Sequence, residues 1–287
     1  MKTWTMRQAL FCLIGSTIFT LTMSLTCYWL WSHYRHQRLI DEKYRCVAIV
    51  TTGPEKEPLK TAYLAELLGL SADHPTPLYA INTKKAEAKL LSSPLIANAK
   101  VKRMPPGTLY IDYEVRKPLA RLADYKNTAL DKEGYLFPAA PFFSPKHLPE
   151  VYLGLPPFTT WQISPKNPYL QLALEILSFL DTAPWKEGIR IKRIDVSNAF
   201  APTLGTREIV LFTEEELVLP QEVVCVFPKI LRLAPKDYPQ QLNNFFALRR
   251  TMMDDYRRQL ASLKQGGRFA PRIVDLRIPQ LAFVEKG

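Results

Sequence analysis

Cysteine and histidine are scarce: the 287 residues hold four of each. Cys12 and Cys27 fall within an apolar run, while Cys46 and Cys225 stand far apart, so no pair has the spacing of a metal site. Cys46 and Cys225 each sit in an apolar, strand-like run and read as buried free thiols, with a disulfide between them as the alternative in an oxidising compartment. His33 and His36 flank the first apolar run, and His74 and His147 lie in proline-containing loops with no second ligand nearby. Glycine is also short, at 11 against 24 prolines, and no glycine-rich loop is available to cradle a phosphate. The nearest approach to a nucleophile elbow, Gly69-Leu70-Ser71-Ala72-Asp73, lacks the closing glycine and follows a helical pattern where that motif needs a strand. Glu214-Glu215-Glu216 is read as a solvated charge run, because adjacent residues on a strand or turn point different ways. No catalytic residue, cofactor or metal is therefore expected, and the chain is read as a non-enzyme.

What is present begins with residues 9–31, which carry no charge. At about 1.5 Å per residue this stretch spans a hydrocarbon core of roughly 30 Å. It ends in Tyr28, Trp29 and Trp31, aromatics that favour the membrane interface, with Lys2 and Arg7 before it and Arg35 and Arg38 after it. No small-x-small site precedes those aromatics, so an uncleaved span is favoured over a signal peptide; Ser24-Leu25-Thr26 ahead of Cys27 does not make a lipobox. Lys2, Arg7 and the amino terminus face Arg35, Arg38, Lys43 and Arg45 across the span, and this balance leaves the orientation open. The net charge of +11 comes without a basic-aromatic signature or helix-turn-helix pattern, so it reads as a dispersed positive surface and no nucleic-acid partner is expected.

Beyond a polar connector at residues 32–43, residues 46–51 form a strand candidate, and Leu59, Tyr63 and Leu67 recur as on one helix face up to a stop at Gly69. A second helix starts near Asn82 or Thr83 and turns Ala86 and Leu90 to one side. Ala97, Ala99 and Val101 then alternate with polar residues up to Pro105-Pro106-Gly107, after which Leu109, Ile111, Tyr113 and Val115 alternate again, predicting a β-hairpin whose glycine is free to take positive φ. Later strand candidates lie at residues 120–125, 128–131, 151–153, 191–196, 208–212 and 217–219, with a last one over 273–284 that contains Pro279. Two amphipathic helices interrupt them, one carrying Leu170, Ala173, Leu174, Leu177 and Leu180, the other Leu242, Phe245, Phe246, Met253, Tyr256 and Leu260 and ending at Gly266-Gly267. The predicted class is α+β: one transmembrane helix, a three-stranded module in β-α-α-β-β order, and a β-rich C-terminal domain.

The β-α-α-β-β order resembles a POTRA domain. Three further patterns resemble the FtsQ/DivIB family of bacterial division proteins: Val101-Lys102-Arg103-Met104-Pro105-Pro106-Gly107-Thr108-Leu109 followed by Arg116-Lys117-Pro118-Leu119-Ala120; Leu130-Asp131-Lys132-Glu133-Gly134-Tyr135-Leu136-Phe137; and Ile273-Val274-Asp275-Leu276-Arg277. Val115, where the family often has Glu, and Val218-Leu219-Pro220, which lacks an expected glycine, depart from the pattern. The resemblance implies a cytoplasmic tail at 1–8, a span at 9–31, a connector at 32–43, a POTRA domain at 44–117 and a partner-binding β domain at 118–287. It implies a single-pass protein of the cytoplasmic membrane at the division site, with its bulk extracytoplasmic. The expected role is a scaffold for septal peptidoglycan synthesis that meets FtsB- and FtsL-like proteins and the septal synthases. Arg272, Val274, Leu276, Arg277, Leu281 and Phe283, on a late edge strand, are the expected contact residues. A POTRA-bearing secretion or envelope-assembly adaptor and a peptidoglycan-modifying enzyme are the alternatives.

Overall fold

A computed structural model describes residues 6–144, 147–157, 161, 166–182, 188–219, 223–260 and 267–285. The chain divides into two units, at residues 1–115 and 116–287. The first begins with helix α1 (Met6–Ile40), of which Leu10–Ile40 is long and apolar enough to cross a membrane and buries none of its apolar window against protein. The helix runs on to Ile40, through most of the stretch expected as a connector at residues 32–43. Its hydroxyls fit an apolar surrounding, since Thr17, Thr20, Thr22, Ser24 and Thr26 each donate to a carbonyl one turn earlier.

The rest of this unit is β1 (Ala48–Thr52), α2 (Thr61–Leu68), α3 (Thr83–Leu91), β2 (Ile96–Met104) and β3 (Thr108–Val115), with β3 central between a parallel β1 and an antiparallel β2. Gly69 takes a left-handed conformation that ends α2, and the Asn82 side chain caps α3 by accepting from the Lys85 amide at 3.1 Å. The buried face of α2 is Leu64 and Leu68, one position on from the expected Tyr63 and Leu67, while Leu59 is buried just ahead of the helix. A bulge between Ile96 and Asn98 likewise corrects the register of β2: Ile96, Ala99 and Val101 are buried and Ala97 is exposed. Gly107 serves close approach rather than positive φ. A Cβ there would stand 2.5 Å from the Arg45 carbonyl oxygen.

The second unit is one large sheet. Its strands are β4 (Ala120–Leu122), β5 (Thr128–Leu130), β6 (Leu136–Pro138), β7 (Glu150–Tyr152), β8 (Ile189–Asp195), β9 (Ile209–Leu219), β10 (Val223–Leu233), β11 (Gly267–Arg268), β12 (Arg272–Asp275) and β13 (Phe283–Glu285). The order is β13-β12-β10-β9-β8-β7-β4-β5-β6, with β11 also on β10. Helices α4 (Pro168–Leu180) and α5 (Tyr238–Leu260) bury Leu170, Ala173, Ile176, Leu177, Leu242, Phe245 and Tyr256 in one core with Ile194, Leu211, Phe227, Leu231 and Val274 of the sheet. Asn167 caps α4 through the amides of Tyr169 and Leu170, and Pro168 sits in its first turn. The end of α5 expected at Gly266 lies outside the described residues, while Gly267 opens β11.

Three expectations change here. The candidates at 208–212 and 217–219 are one continuous strand, β9. Its partner β10 was not among the strand candidates, although Cys225 within it reads as part of a strand-like run. The candidate at 273–284 is a hairpin of β12 and β13, turned through Pro279 and Gln280, the latter at φ 63°.

Candidate functional site

The expected contact strand is built outward from β10. On one side β10 pairs antiparallel with β9 from Val223↔Leu219 to Leu233↔Ile209. On the other it pairs in parallel with β11 and then with β12, from Lys229↔Arg272 to Arg232↔Asp275. β13 covers β12 through the pairs Ile273↔Glu285, Val274↔Val284 and Asp275↔Phe283. β12 is thus not an edge. The edge at this end of the described sheet is β13, and every residue of that strand is exposed.

This arrangement separates the six expected contact residues. Val274 and Leu276 are buried in the core. The Arg272 guanidinium lies over the Tyr256 ring of α5 at 4.3 Å, a packing position. Arg277 belongs to an ion-pair cluster: its Nη2 pairs with Asp275 at 2.7 Å, and its Nη1 lies 3.3 Å from Glu208 and 3.2 Å from the Gly205 carbonyl. Arg232 joins the same two carboxylates, at 2.7 Å from Glu208 and 3.5 Å from Asp275. Burial pushes the Asp275 carboxyl up, but the hydrogen bonds and charge of Arg277, with Arg232 behind them, outweigh this and hold it below its ordinary value. The hydrogen bond to Asp275 raises Arg277 in turn. Only Leu281 and Phe283 stand free, at 61% and 74% exposure. The structure adds Ile278, 57% exposed, and Val284 to that apolar edge. It also adds a groove of about 770 Å³ between α5 and the β12–β13 turn, walled by Gln240, Asn244 and Ala247 on one side and Ile278, Pro279 and Leu281 on the other. Alternation within the strand gave no signal for this groove, because α5 is remote in sequence.

A second constellation was missed altogether. Glu214 and Glu215, read as solvated, are buried at 7% and 1% exposure. On the helix-facing side Glu215 accepts from Lys229 Nζ at 2.5 Å and from Arg249 Nε at 3.0 Å, and the Lys229 side chain has no exposed surface. Lys229 Nζ also lies 5.7 Å from the Tyr256 ring. Burial lowers the Lys229 pKa, and Glu215 opposes that only in part. On the other face of the sheet Glu214 pairs with Lys192 at 3.2 Å and with Arg268. The acidic run is neutralised by cations on neighbouring elements, which is why it can be buried.

The turn expected from Asp131 and Gly134 is present and structural. Asp131 is buried; its Oδ1 accepts from the amides of Glu133 and Tyr135, and its Oδ2 from Arg116 at 2.8 Å. Gly134, at φ 86°, leaves room for Leu170 of α4, and Phe137 is fully buried. Among the described residues no group of three His, Cys, Asp or Glu is arranged to hold a metal. Cys46 and Cys225 are both free thiols.

Residues 55–113 match the family described as POTRA domain, FtsQ-type. The first unit accordingly contains an FtsQ-type POTRA domain, and the match supports an FtsQ/DivIB family protein. No curated protein matches the chain.

Proposed function

We propose that this chain, with a POTRA domain of the FtsQ type behind a helix able to cross a membrane, is a non-enzymatic division scaffold. The observation that carries the reading is that domain at residues 55–113. POTRA domains mediate protein–protein interaction, which agrees with a chain that leaves Ile278, Leu281, Phe283 and Val284 exposed at and beside strand β13. In this reading the amino terminus is cytoplasmic, the bulk lies outside the cytoplasmic membrane at the division site, and the protein recruits FtsB- and FtsL-like proteins and the septal peptidoglycan synthases.

The contact is strand addition at β13, with Phe283 and Leu281 as side-chain anchors, and Arg272, Val274, Leu276 and Arg277 hold the hairpin that presents them. The exposed edge and the adjoining groove support this division of labour. Phe283→Asp places a carboxylate on the edge without touching the core, and an anchor of this kind is worth about 2 kcal/mol, roughly a 30-fold loss of affinity. Co-purification from membranes tests it. Loss of the FtsB- and FtsL-like partners with retained thermal stability is the expected result, and undiminished recovery refutes the edge. Turnover of cell-wall material by the purified chain refutes the non-enzymatic reading, and absence from division sites refutes the division role.

A further inference from the structure

Where α1 leaves its apolar run, it forms a cavity of about 430 Å³ with residues of the POTRA unit. Three arginines line it, Arg35 and Arg38 from α1 and Arg103 from β2, and none of the described lining residues is acidic. The Arg38 guanidinium lies 5.0 Å from the ring centroids of both Tyr34 and Tyr79. Rings on its faces leave the in-plane N–H groups for an acceptor, yet Arg38 Nε is shielded from solvent and has no hydrogen-bond partner. A buried, charged donor left without an acceptor costs free energy, so a partner is called for. Arg103 is fixed at the rim by Nε and Nη2, which both donate to the Ile81 carbonyl at 3.0 and 2.7 Å. Arg35 is held over Trp31, at 5.3 Å.

The cavity's depth along the helix identifies the missing acceptor. Trp31 closes the apolar run, and at about 1.5 Å per residue Arg35 and Arg38 lie roughly 6 and 10 Å beyond it. The headgroup layer of one leaflet is roughly 5–7 Å thick, and arginine side chains reach back toward it. We infer that this cavity is a binding site for the phosphodiester of an anionic glycerophospholipid such as phosphatidylglycerol, with Arg38 as its central donor and Arg35 and Arg103 supplying charge. The inference rests on the helix being a membrane span. That premise is tested separately by resistance to alkaline extraction from membranes.

The intact chain, purified in detergent, is titrated with phosphatidylglycerol and with phosphatidylcholine, and bound lipid is counted by native mass spectrometry. Phosphatidylglycerol is expected to bind about tenfold or more tightly than phosphatidylcholine. Arg38→Gln is expected to lose about tenfold or more, as for one charge-assisted hydrogen bond, while Arg7→Gln at the other end of the span stays within about twofold. Arg103→Gln, which keeps α1 intact, is the second variant should Arg38→Gln melt early, and a several-fold loss is expected. Equal binding of the two lipids, undiminished binding in both variants, or displacement by millimolar inorganic phosphate each overturns the lipid site, the last in favour of a free-anion site.

Discussion

The buried Glu215–Lys229–Arg249 cluster predicts an asymmetric response to mutation. Glu215 is the shared acceptor, so Glu215→Gln leaves Lys229, whose side chain has no exposed surface, without its carboxylate, and strips Arg249 of the same partner. Breaking a buried pair from one side costs about 3–5 kcal/mol, which at roughly 2–4 °C per kcal/mol lowers the melting temperature by about 6–20 °C in a unit of this size. Lys229→Met is expected to cost less, because Glu215 keeps Arg249. The double variant Glu215→Leu/Lys229→Met should recover most of the loss, since an apolar pair of similar volume is neutral or better at a buried site. The pH dependence has a fixed sign. Burial puts the folded-state pKa of Lys229 below its ordinary value of 10.5, so between the two values the unfolded chain binds more protons and stability rises with pH. The pH window of this contribution should reach further toward neutral pH in Glu215→Gln, where nothing offsets the burial, and the contribution should be absent in Lys229→Met. Thermal unfolding of the intact chain in detergent from neutral to alkaline pH reads all of this. Equal, small losses for both single variants would refute the argument that Glu215 is the hub.

Two further substitutions probe the two units separately. Gly107→Ala sets a Cβ 2.5 Å from the Arg45 carbonyl oxygen and is expected to destabilise the POTRA unit by about 1–3 kcal/mol through forced backbone displacement; a melting temperature unchanged by the methyl group counts against that close approach. Asp275 is held below its ordinary carboxyl value, so its contribution is complete above about pH 4 and is lost as the pH falls through the folded-state value. Arg277→Gln should therefore flatten the acid limb of the stability profile, and an unchanged limb shows that Arg277 does not hold the carboxylate.

Local signals were legible because they depend on near neighbours in the chain. The apolar run, the stop at Gly69, the cap at Asn82 and the turn at Asp131 and Gly134 are all set within a few residues. What escaped was set across the sheet. β10 was not among the strand candidates beyond the strand-like run around Cys225; Pro228 and Lys229 interrupt that run, and the pairing explains both. The carbonyls of Val226 and Arg232 accept from Phe269 and Leu276, so even-numbered residues of β10 turn their main-chain groups toward β11 and β12. Pro228, with no N–H, falls in the gap between the segments paired with β11 and β12. Lys229 is tolerated because Glu215 lies across the ladder, and Glu215 is buried because Lys229 does, so neither residue reveals its burial alone. The bulge in β2 and the one-position turn of the α2 face are likewise decided by packing.

The same limit shaped the candidate interface. Alternation in Ile273-Val274-Asp275-Leu276-Arg277 separates inward from outward residues, and Val274 and Leu276 do face the core. It says nothing of whether another strand lies alongside, and β13 does. The consequence for recognition is quantitative. An edge of three residues offers about two or three main-chain hydrogen bonds to an added strand, and at about 0.5–1.5 kcal/mol each they supply roughly 1–4 kcal/mol. Micromolar binding needs roughly 8 kcal/mol before the cost of ordering a peptide. An edge this short also resists pairing with another copy of the chain. Strand pairing at β13 can therefore fix register, but most of the affinity has to come from side chains, and the exposed apolar ones there are Phe283, Leu281, Ile278 and Val284.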